Sequence, residues 1–496
     1  MSVIDELRRD GDLLQAYELA HQRLSKDTSI DIVKKDLSRV LTDLLQKNCF
    51  LIKADEFFTY LDEFYALNIP LKDSVIHENI LWQVGKFIKE LVRVEASSSI
   101  FDRLYNTISH VKLPAQTSLF TFISSSILES QDLNKSYVRL LINIGVRNLP
   151  SNHFLALNED GEKKASLGEL MLLCIAKHIT HQDKPSAEDV SILLEELSFV
   201  GENYKNIPYI DYYKAKAYQA IGDVKNAEVS ILDYLKKRSK EYLAWELLAD
   251  ISDGKERKIQ ALCKTIICHT RPGQLIRSQT KLFHLFVKEK EFGAAKILYK
   301  VISSSKRELG KNISEDWKNV VNESWFKNVQ RDIHLLNFCY RRANPIVSFV
   351  FNDWKAQDGI IYGLNIAKDL AQFVVSDDVH GAFKYFGDKN IKVGDFVSLK
   401  LQRVANHEGV RFKVLHNQIT KKRPKRSVYK VLEDHIRVEG DKYFVGLVRI
   451  NFDYAKSKGM KIGQLVRVKA VKLPSSKIRE SAKWKVLYLN SVQQDL

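Results

Sequence analysis

From residue 1 to about 340, apolar side chains recur mostly at i, i+3, i+4 and i+7, as in Ile80-Val84-Phe87-Leu91 and Leu193-Leu194-Leu197. Long charged side chains fill the gaps and strict alternation is rare. This pattern predicts consecutive amphipathic helices, each burying one stripe. The segment Asn148–Leu167 interrupts it with loop composition and separates two helical lobes. After Pro345 the period shortens to two. Strand-like alternation appears in Gly359–Ile366, Ala371–Val375, Phe396–Val404 and Val410–Leu415, with Gly, Asp and Asn turns between.

Both regions repeat internally. In the helical part Ala227, Ala261 and Ala295 lie 34 residues apart, as do Ala215 and Ala249, and Leu248 and Leu282. Two helices that cross closely need small residues where their backbones meet, and an aromatic such as Tyr218 or Trp245 fills the adjacent hole. Gly222-Asp223 suits the turn between the helices of one unit. The spacing is that of a tetratricopeptide-like solenoid.

In the β-region Lys392-Val393-Gly394-Asp395-Phe396-Val397 corresponds to Lys461-Ile462-Gly463-Gln464-Leu465-Val466 at an offset of 69. Arg411-Phe412-Lys413-Val414-Leu415 corresponds to Lys483-Trp484-Lys485-Val486-Leu487 at 72, and Gln372-Phe373-Val374-Val375 to Tyr443-Phe444-Val445-Gly446 at 71. Five short strands per copy predict tandem OB-like barrels, with one larger sandwich as the alternative. The expected fold class is therefore mainly α, a tetratricopeptide-like α-solenoid, followed by all-β OB-like barrels. The expected domains are an N-terminal helical lobe (1–147), helical repeats (168–340), a first OB/cold-shock-like module (357–419), a basic linker (420–427) and a second module (428–492).

Charge sharpens this division. The 496 residues carry a net +16, yet residues 345–496 alone hold 28 Lys and Arg against 15 Asp and Glu, a net of +13. The 344 residues before them are nearly neutral, at +3. Such asymmetry points to an anionic partner at the C-terminal end. The run Thr420-Lys421-Lys422-Arg423-Pro424-Lys425-Arg426 reads as a phosphate-contacting strap between the modules.

OB-type barrels hold single-stranded nucleic acid by stacking bases on aromatics while basic side chains follow the backbone. The candidate stacking residues are Phe373, Phe383, Tyr385, Tyr443 and Phe444. Because strand side chains alternate, Tyr443 and Phe444 cannot both face a ligand. The candidate phosphate contacts are Lys384, Arg411, Lys413, Lys421, Lys422, Arg423, Arg449, Lys483 and Lys485.

Catalytic signatures are missing from the sequence. There is no Walker-type loop and no Gly-x-Ser-x-Gly, and His178-Ile179-Thr180-His181 lacks a third metal ligand. The reading is of a non-enzyme with no catalytic residue, no metal and no cofactor. The five cysteines are odd in number and scattered, which argues for a reducing compartment, and Cys263 and Cys268 do not have zinc-site spacing. No apolar run approaches the roughly 18–20 residues of a membrane span. MSVIDELRRDGD lacks the apolar core of a secretory signal.

The segments Tyr212–Ala217, Gly222-Asp223, Leu243–Ala249, Leu262-Cys263-Lys264 and Ala294–Tyr299, taken with the β-duplication, resemble tetratricopeptide proteins that end in cold-shock-like OB domains. The grouping is the one associated with bacterial TOTE-type conflict systems, and the resemblance spans roughly 140–496. It implies a cytoplasmic prokaryotic protein that binds nucleic acid in antiviral or mobile-element conflict. Cold-shock domains carry Gly-Phe-Gly-Phe on the binding strand. Here the matching segments read Ala371-Gln372-Phe373-Val374 and Lys442-Tyr443-Phe444-Val445, a thinner stacking platform.

The expected function is a non-catalytic adaptor. Its basic modules bind RNA or single-stranded DNA while the helical repeats recruit a protein partner. The alternative is a protein-interaction scaffold whose basic barrels dock an acidic or ribosomal protein.

Overall fold

The computed structural model describes every residue except 1, 27–29, 71–72, 109–117, 130–134, 156, 160–161, 206, 269–270, 330–332, 386–390, 407–408, 441, 474–483 and 493–496. It divides into two compact units, Met1–Ser230 and Ile231–Leu496.

The first unit is a succession of amphipathic helices from Val3–Asp10 to Ile210–Ala220. Their starts follow local chemistry. The Ser2 hydroxyl accepts from the Asp5 amide in a capping box, and Ser166 and Ser186 cap the helices Leu167–Thr180 and Ala187–Asn203. One hydrophobic core runs from Ile4 to Ala217. It passes beneath the segment read as a separating loop, which carries two 3-10 turns and the hairpin β1 (Leu157–Glu159) and β2 (Glu162–Lys164).

The second unit begins with antiparallel helix pairs: Tyr242–Ile251 with Lys255–Cys268, and Pro272–Lys288 with Phe292–Glu308. The small residues of the 34-residue spacing lie where the packing requires them. Ala249, Ala261 and Ala295 are buried, and Trp245 is wholly enclosed, its indole N–H donating to the Ser239 carbonyl at 3.0 Å. The helix Leu335–Val350 then leads into the β-region.

That region forms two five-stranded antiparallel sheets, each curled around its own core, in place of one larger sandwich. The first module comprises β3 (Ala356–Asn365), β4 (Leu370–Val374), β5 (His380–Lys384), β6 (Phe396–Asn406) and β7 (Gly409–Thr420). The second comprises β8 (Tyr429–Glu439), β9 (Lys442–Val445), β10 (Val448–Ile450), the helix Phe452–Ser457, β11 (Leu465–Lys472) and β12 (Trp484–Ser491). The strand orders, β5-β4-β3-β6-β7 and β10-β9-β8-β11-β12, are the same. Each sheet is a half-barrel of OB-like topology.

The duplication extends to individual atoms. Gly394 and Gly463 both adopt positive φ, 96° and 79°, and donate their amides to Ile361 and Ile436 of the first strands. Only glycine takes that backbone conformation without strain. The Asp395 carboxylate accepts from the Lys392 amide at 2.7 Å, and the Gln464 amide oxygen accepts from the Lys461 amide at 2.9 Å. Each fifth strand carries a bulge at the equivalent place, with Leu415 and Leu487 unpaired opposite Lys400/Leu401 and Lys469/Ala470. These features bear out the sequence offsets of 69 and 72.

The offset of 71 is corrected to 72. Ile361 pairs with Phe373 and its counterpart Ile436 pairs with Val445, so Phe373 matches Val445 and Phe444 matches Gln372. A one-residue shift in a strand moves a side chain to the other face of the sheet.

Candidate nucleic-acid interface

That shift decides which aromatics are available. Ile361, Ala371, Phe373, Phe383 and Tyr385 turn into the first half-barrel, where Phe373 is fully buried and packs 6.1 Å from Phe383, centroid to centroid. Phe373, Phe383 and Tyr385 therefore have no open ring face for a base, which corrects their reading as stacking residues. Their physical role is to fill a small barrel. Tyr443 packs against the second core beside Ile436 and Val445.

Phe444 points the other way. It is half-buried on the outer face of the second module and sits directly between Arg437 on β8 and Arg449 on β10, its cross-strand partners on either side. Cross-strand partners share a face and stand about 4.5–5.5 Å apart at Cβ. The result is a three-strand row of arginine, phenylalanine, arginine. Arg437 also pairs with Asp434 at 3.5 Å. Farther along the same face Arg467 meets Glu433 at 3.0 Å, and the Lys469 ammonium lies 5.2 Å from the Tyr488 ring centre. Arginine planes stack on aromatics and fork onto phosphates, so this row has the chemistry to hold a stacked base and its flanking phosphates.

The equivalent face of the first module is closed. Positions matching His435, Arg437 and Phe444 are Ile360, Tyr362 and Gln372. Ile360, Tyr362 and Val374 are buried in a junction with Val428, Tyr429 and Val471 of the second module. The same face thus has opposite character in the two copies, largely apolar and covered by its neighbour in the first, basic and open in the second.

The basic candidates divide in the same way. Lys485 donates to the Tyr362 carbonyl at 2.8 Å and so serves the junction between modules. Lys422 pairs with Asp358 at 2.6 Å, and Lys384 donates to the Lys368 carbonyl at 2.7 Å. Lys413 is half-buried and donates to the Ser239 hydroxyl at 2.8 Å, holding the first module against the helices. These four candidate phosphate contacts thus also have partners within the fold. Arg411, Lys421, Arg423 and Arg449 are exposed. Lys483 lies outside the described residues. The linker is anchored, because Pro424 is buried and the Lys425 carbonyl accepts from the Val428 and Tyr429 amides.

Sequence reasoning missed Arg437. Its alternation on β8 was visible, but its place beside Phe444 depends on the strand register.

The first module meets the helices through more than Lys413. Lys236 pairs with Asp353 at 2.8 Å, the Lys400 ammonium donates to the Phe351 carbonyl at 2.5 Å, and Tyr340 bonds Asn417. His416 lies in this contact, only 7% exposed. Burial, followed by the charges of Lys400 and Lys264, lowers its pKa to about 4. An unfolded histidine titrates near 6.5, so between these values the unfolded chain binds the extra proton and stability falls as the pH drops. The loss is expected to reach about 3 kcal/mol by pH 4. A His416→Gln variant is expected to lack that component when urea melts at pH 7 and pH 4.5 are compared.

Two family models match parts of the chain. Residues 208–345 match a domain of unknown function (DUF7017), and residues 351–414 match S1/CSD-like domain 1 of the TOTE conflict systems. The second match covers most of the first β-module. The C-terminal region is thus similar to an S1/cold-shock-like domain of conflict systems and follows a helical region. A search of curated proteins finds no match. Among solved structures, one described as "Computational Design of Self-Assembling Cyclic Protein Homooligomers" is 13% identical and covers 71% of this chain and 96% of its own, with a TM-score of 0.08. Among the described residues, no helix is long and apolar enough to cross a membrane.

Proposed function

We propose that this protein is a non-catalytic adaptor that binds single-stranded nucleic acid, RNA or DNA, on the outer face of its second β-module. In this reading the tetratricopeptide-like helix pairs hold a protein partner, and the pair of activities serves a cytoplasmic conflict system. The observation that carries it is the row Arg437–Phe444–Arg449 on an open sheet face, set against the apolar, covered face of the duplicate module. An aromatic flanked by two guanidinium groups suits base stacking with backbone neutralisation and demands no particular sequence. The excess of 28 basic over 15 acidic residues in 345–496 supplies the wider field that draws a polyanion. The similarity to an S1/cold-shock-like domain of conflict systems supports both the ligand class and the setting.

The test is fluorescence anisotropy of a labelled oligonucleotide, RNA and DNA in parallel, titrated with the full chain. Binding is expected to weaken with salt, with a log–log slope of about −0.7 per phosphate neutralised. Phe444→Ala is expected to weaken it about 10- to 100-fold, the cost of one lost stacking contact, while thermal unfolding stays unchanged. Arg449→Ala is expected to lower both affinity and slope. Binding insensitive to Phe444 and to salt would move the function to the alternative, docking of an acidic protein.

A further inference from the structure

Where the helices meet the first β-module, three lysines lie near one buried serine. Lys413 of β7 reaches inward to the hydroxyl of Ser239, which is itself 8% exposed. Lys264, on the helix Lys255–Cys268, places its ammonium 5.9 Å from the Trp245 ring centre. The Trp245 indole donates to the carbonyl of the same Ser239, and the Cys268 thiol approaches that carbonyl at 3.6 Å. Lys240 follows Ser239 directly and is exposed. Lys264 stands one turn before Cys268 on its helix and Lys240 beside Ser239 in the chain, so both lie near the serine that Lys413 reaches. Each acts on the Cys268 thiol, and Lys240 and Lys264 reinforce burial in lowering the pKa of Lys413. Lys264 and Lys400 do the same to His416.

This grouping differs from the ion-paired contacts of the unit. At three neighbouring contacts a lysine faces a carboxylate: Lys236 with Asp353, Lys422 with Asp358, Lys472 with Asp377. Among the described residues no carboxylate lies within ion-pair distance of Lys240, Lys264 or Lys413. Glu241 is the acid that also acts on Cys268, and it sits at the edge, 3.9 Å from Arg238. Gathering like charges in a half-buried place is unfavourable unless an anion offsets it. The Ser239 hydroxyl adds a neutral hydrogen-bonding group of the kind that serves phosphate oxygens.

We propose that Lys240, Lys264 and Lys413, with the Ser239 hydroxyl, form a phosphate-binding site at the seam between the helical array and the first β-module. The site does not use the outer face of the second module, so it stands or falls apart from the Phe444 row. Its phosphate comes either from a nucleic-acid backbone passing over the seam or from a free phosphate compound.

The test uses the full chain and the double variant Lys240→Ala/Lys264→Ala, which leaves the Lys413–Ser239 bond in place. Lys288→Ala/Lys311→Ala removes equal charge from the exposed helical surface and serves as the control. Two probes are titrated, inorganic pyrophosphate followed by thermal unfolding and a labelled 30-nucleotide strand followed by anisotropy. Pyrophosphate is expected to raise the melting temperature of the wild type and the control but not of the double variant. If the source is a strand, the double variant also binds the oligonucleotide several-fold more weakly, with a salt slope reduced by about 0.7–1.4, one or two phosphates. If it is a free phosphate compound, oligonucleotide binding is unchanged and only the pyrophosphate shift disappears. Arginine at both positions is expected to restore the response. Equal behaviour of wild type and double variant toward both probes would overturn the site. Loss of strand binding in Phe444→Ala with the pyrophosphate shift intact would keep the two sites distinct.

Discussion

Phe373→Ala is expected to cost about 3–5 kcal/mol of unfolding free energy and to leave the Phe444 row intact. The ring is completely enclosed by Ile361, Ala371, Phe383, Val397 and Leu399, and a Cβ placed on Gly381 would already sit 3.3 Å from it. Such tight surroundings collapse poorly around a vacancy, so the lost transfer energy and the cavity add. Urea melts followed by far-ultraviolet circular dichroism measure the loss. Phe444→Ala is expected to do the reverse, with binding weakened and the melt unmoved. A Phe373 variant that melts like the wild type yet fails to bind a strand would return that residue to the ligand face.

The second large effect is expected at the junction between the modules. Val471 is fully buried there against Ile360, Tyr362, Val374, Val428 and Tyr429, and the Phe396 and Tyr429 rings meet edge to face at 5.0 Å. Val471→Asp sets a carboxylate among these side chains. A buried charge without a partner costs on the order of 3–5 kcal/mol. The cheaper escape is for the modules to separate, since each half-barrel has its own core. Separation breaks the Lys485–Tyr362 and Lys472–Asp377 contacts and releases the linker. The linker offers trypsin five basic residues between Lys421 and Arg426. Faster tryptic cleavage there, with the β-signal of circular dichroism retained, is the expected outcome. Val471→Ala, which adds no charge, is expected to have a much smaller effect. Unchanged cleavage in the aspartate variant would mean that the modules are not packed through this face.

Together the two variants explain why the stacking residues were only partly legible in the sequence. A phenylalanine in an alternating strand is as suitable for a barrel core as for a base, and its neighbours along the chain do not distinguish the two. Phe373 and Phe444 looked equivalent because Gln372-Phe373-Val374-Val375 aligned with Tyr443-Phe444-Val445-Gly446. The ladders Ile361–Phe373 and Ile436–Val445 shift that alignment by one residue and reverse the faces. The lysines were ambiguous for a related reason. Lys413, Lys422 and Lys485 have the composition of phosphate contacts, but long flexible side chains also reach carbonyls, hydroxyls and carboxylates across a seam.

Periodicity, repetition and charge fixed the coarse plan from the sequence alone. The change from a period near 3.6 to a period of two places helices before sheets. The offsets of 69 and 72 identify a duplicated five-strand module and its glycine turn. The net +13 of residues 345–496 locates the basic end. Each of these is a local property, written in residues close together in the chain or in copies of one pattern. Tertiary structure alone decided which copy is open. Whether a sheet face is a binding surface depends on what covers it. Ile360 and Tyr362 are covered by Val428, Tyr429 and Val471, which lie far along the chain, while Arg437, Phe444 and Arg449 come together only through the pairing of three strands. The same holds for Lys413, which lies far from Ser239 in sequence and meets its hydroxyl only because the module docks on the helices.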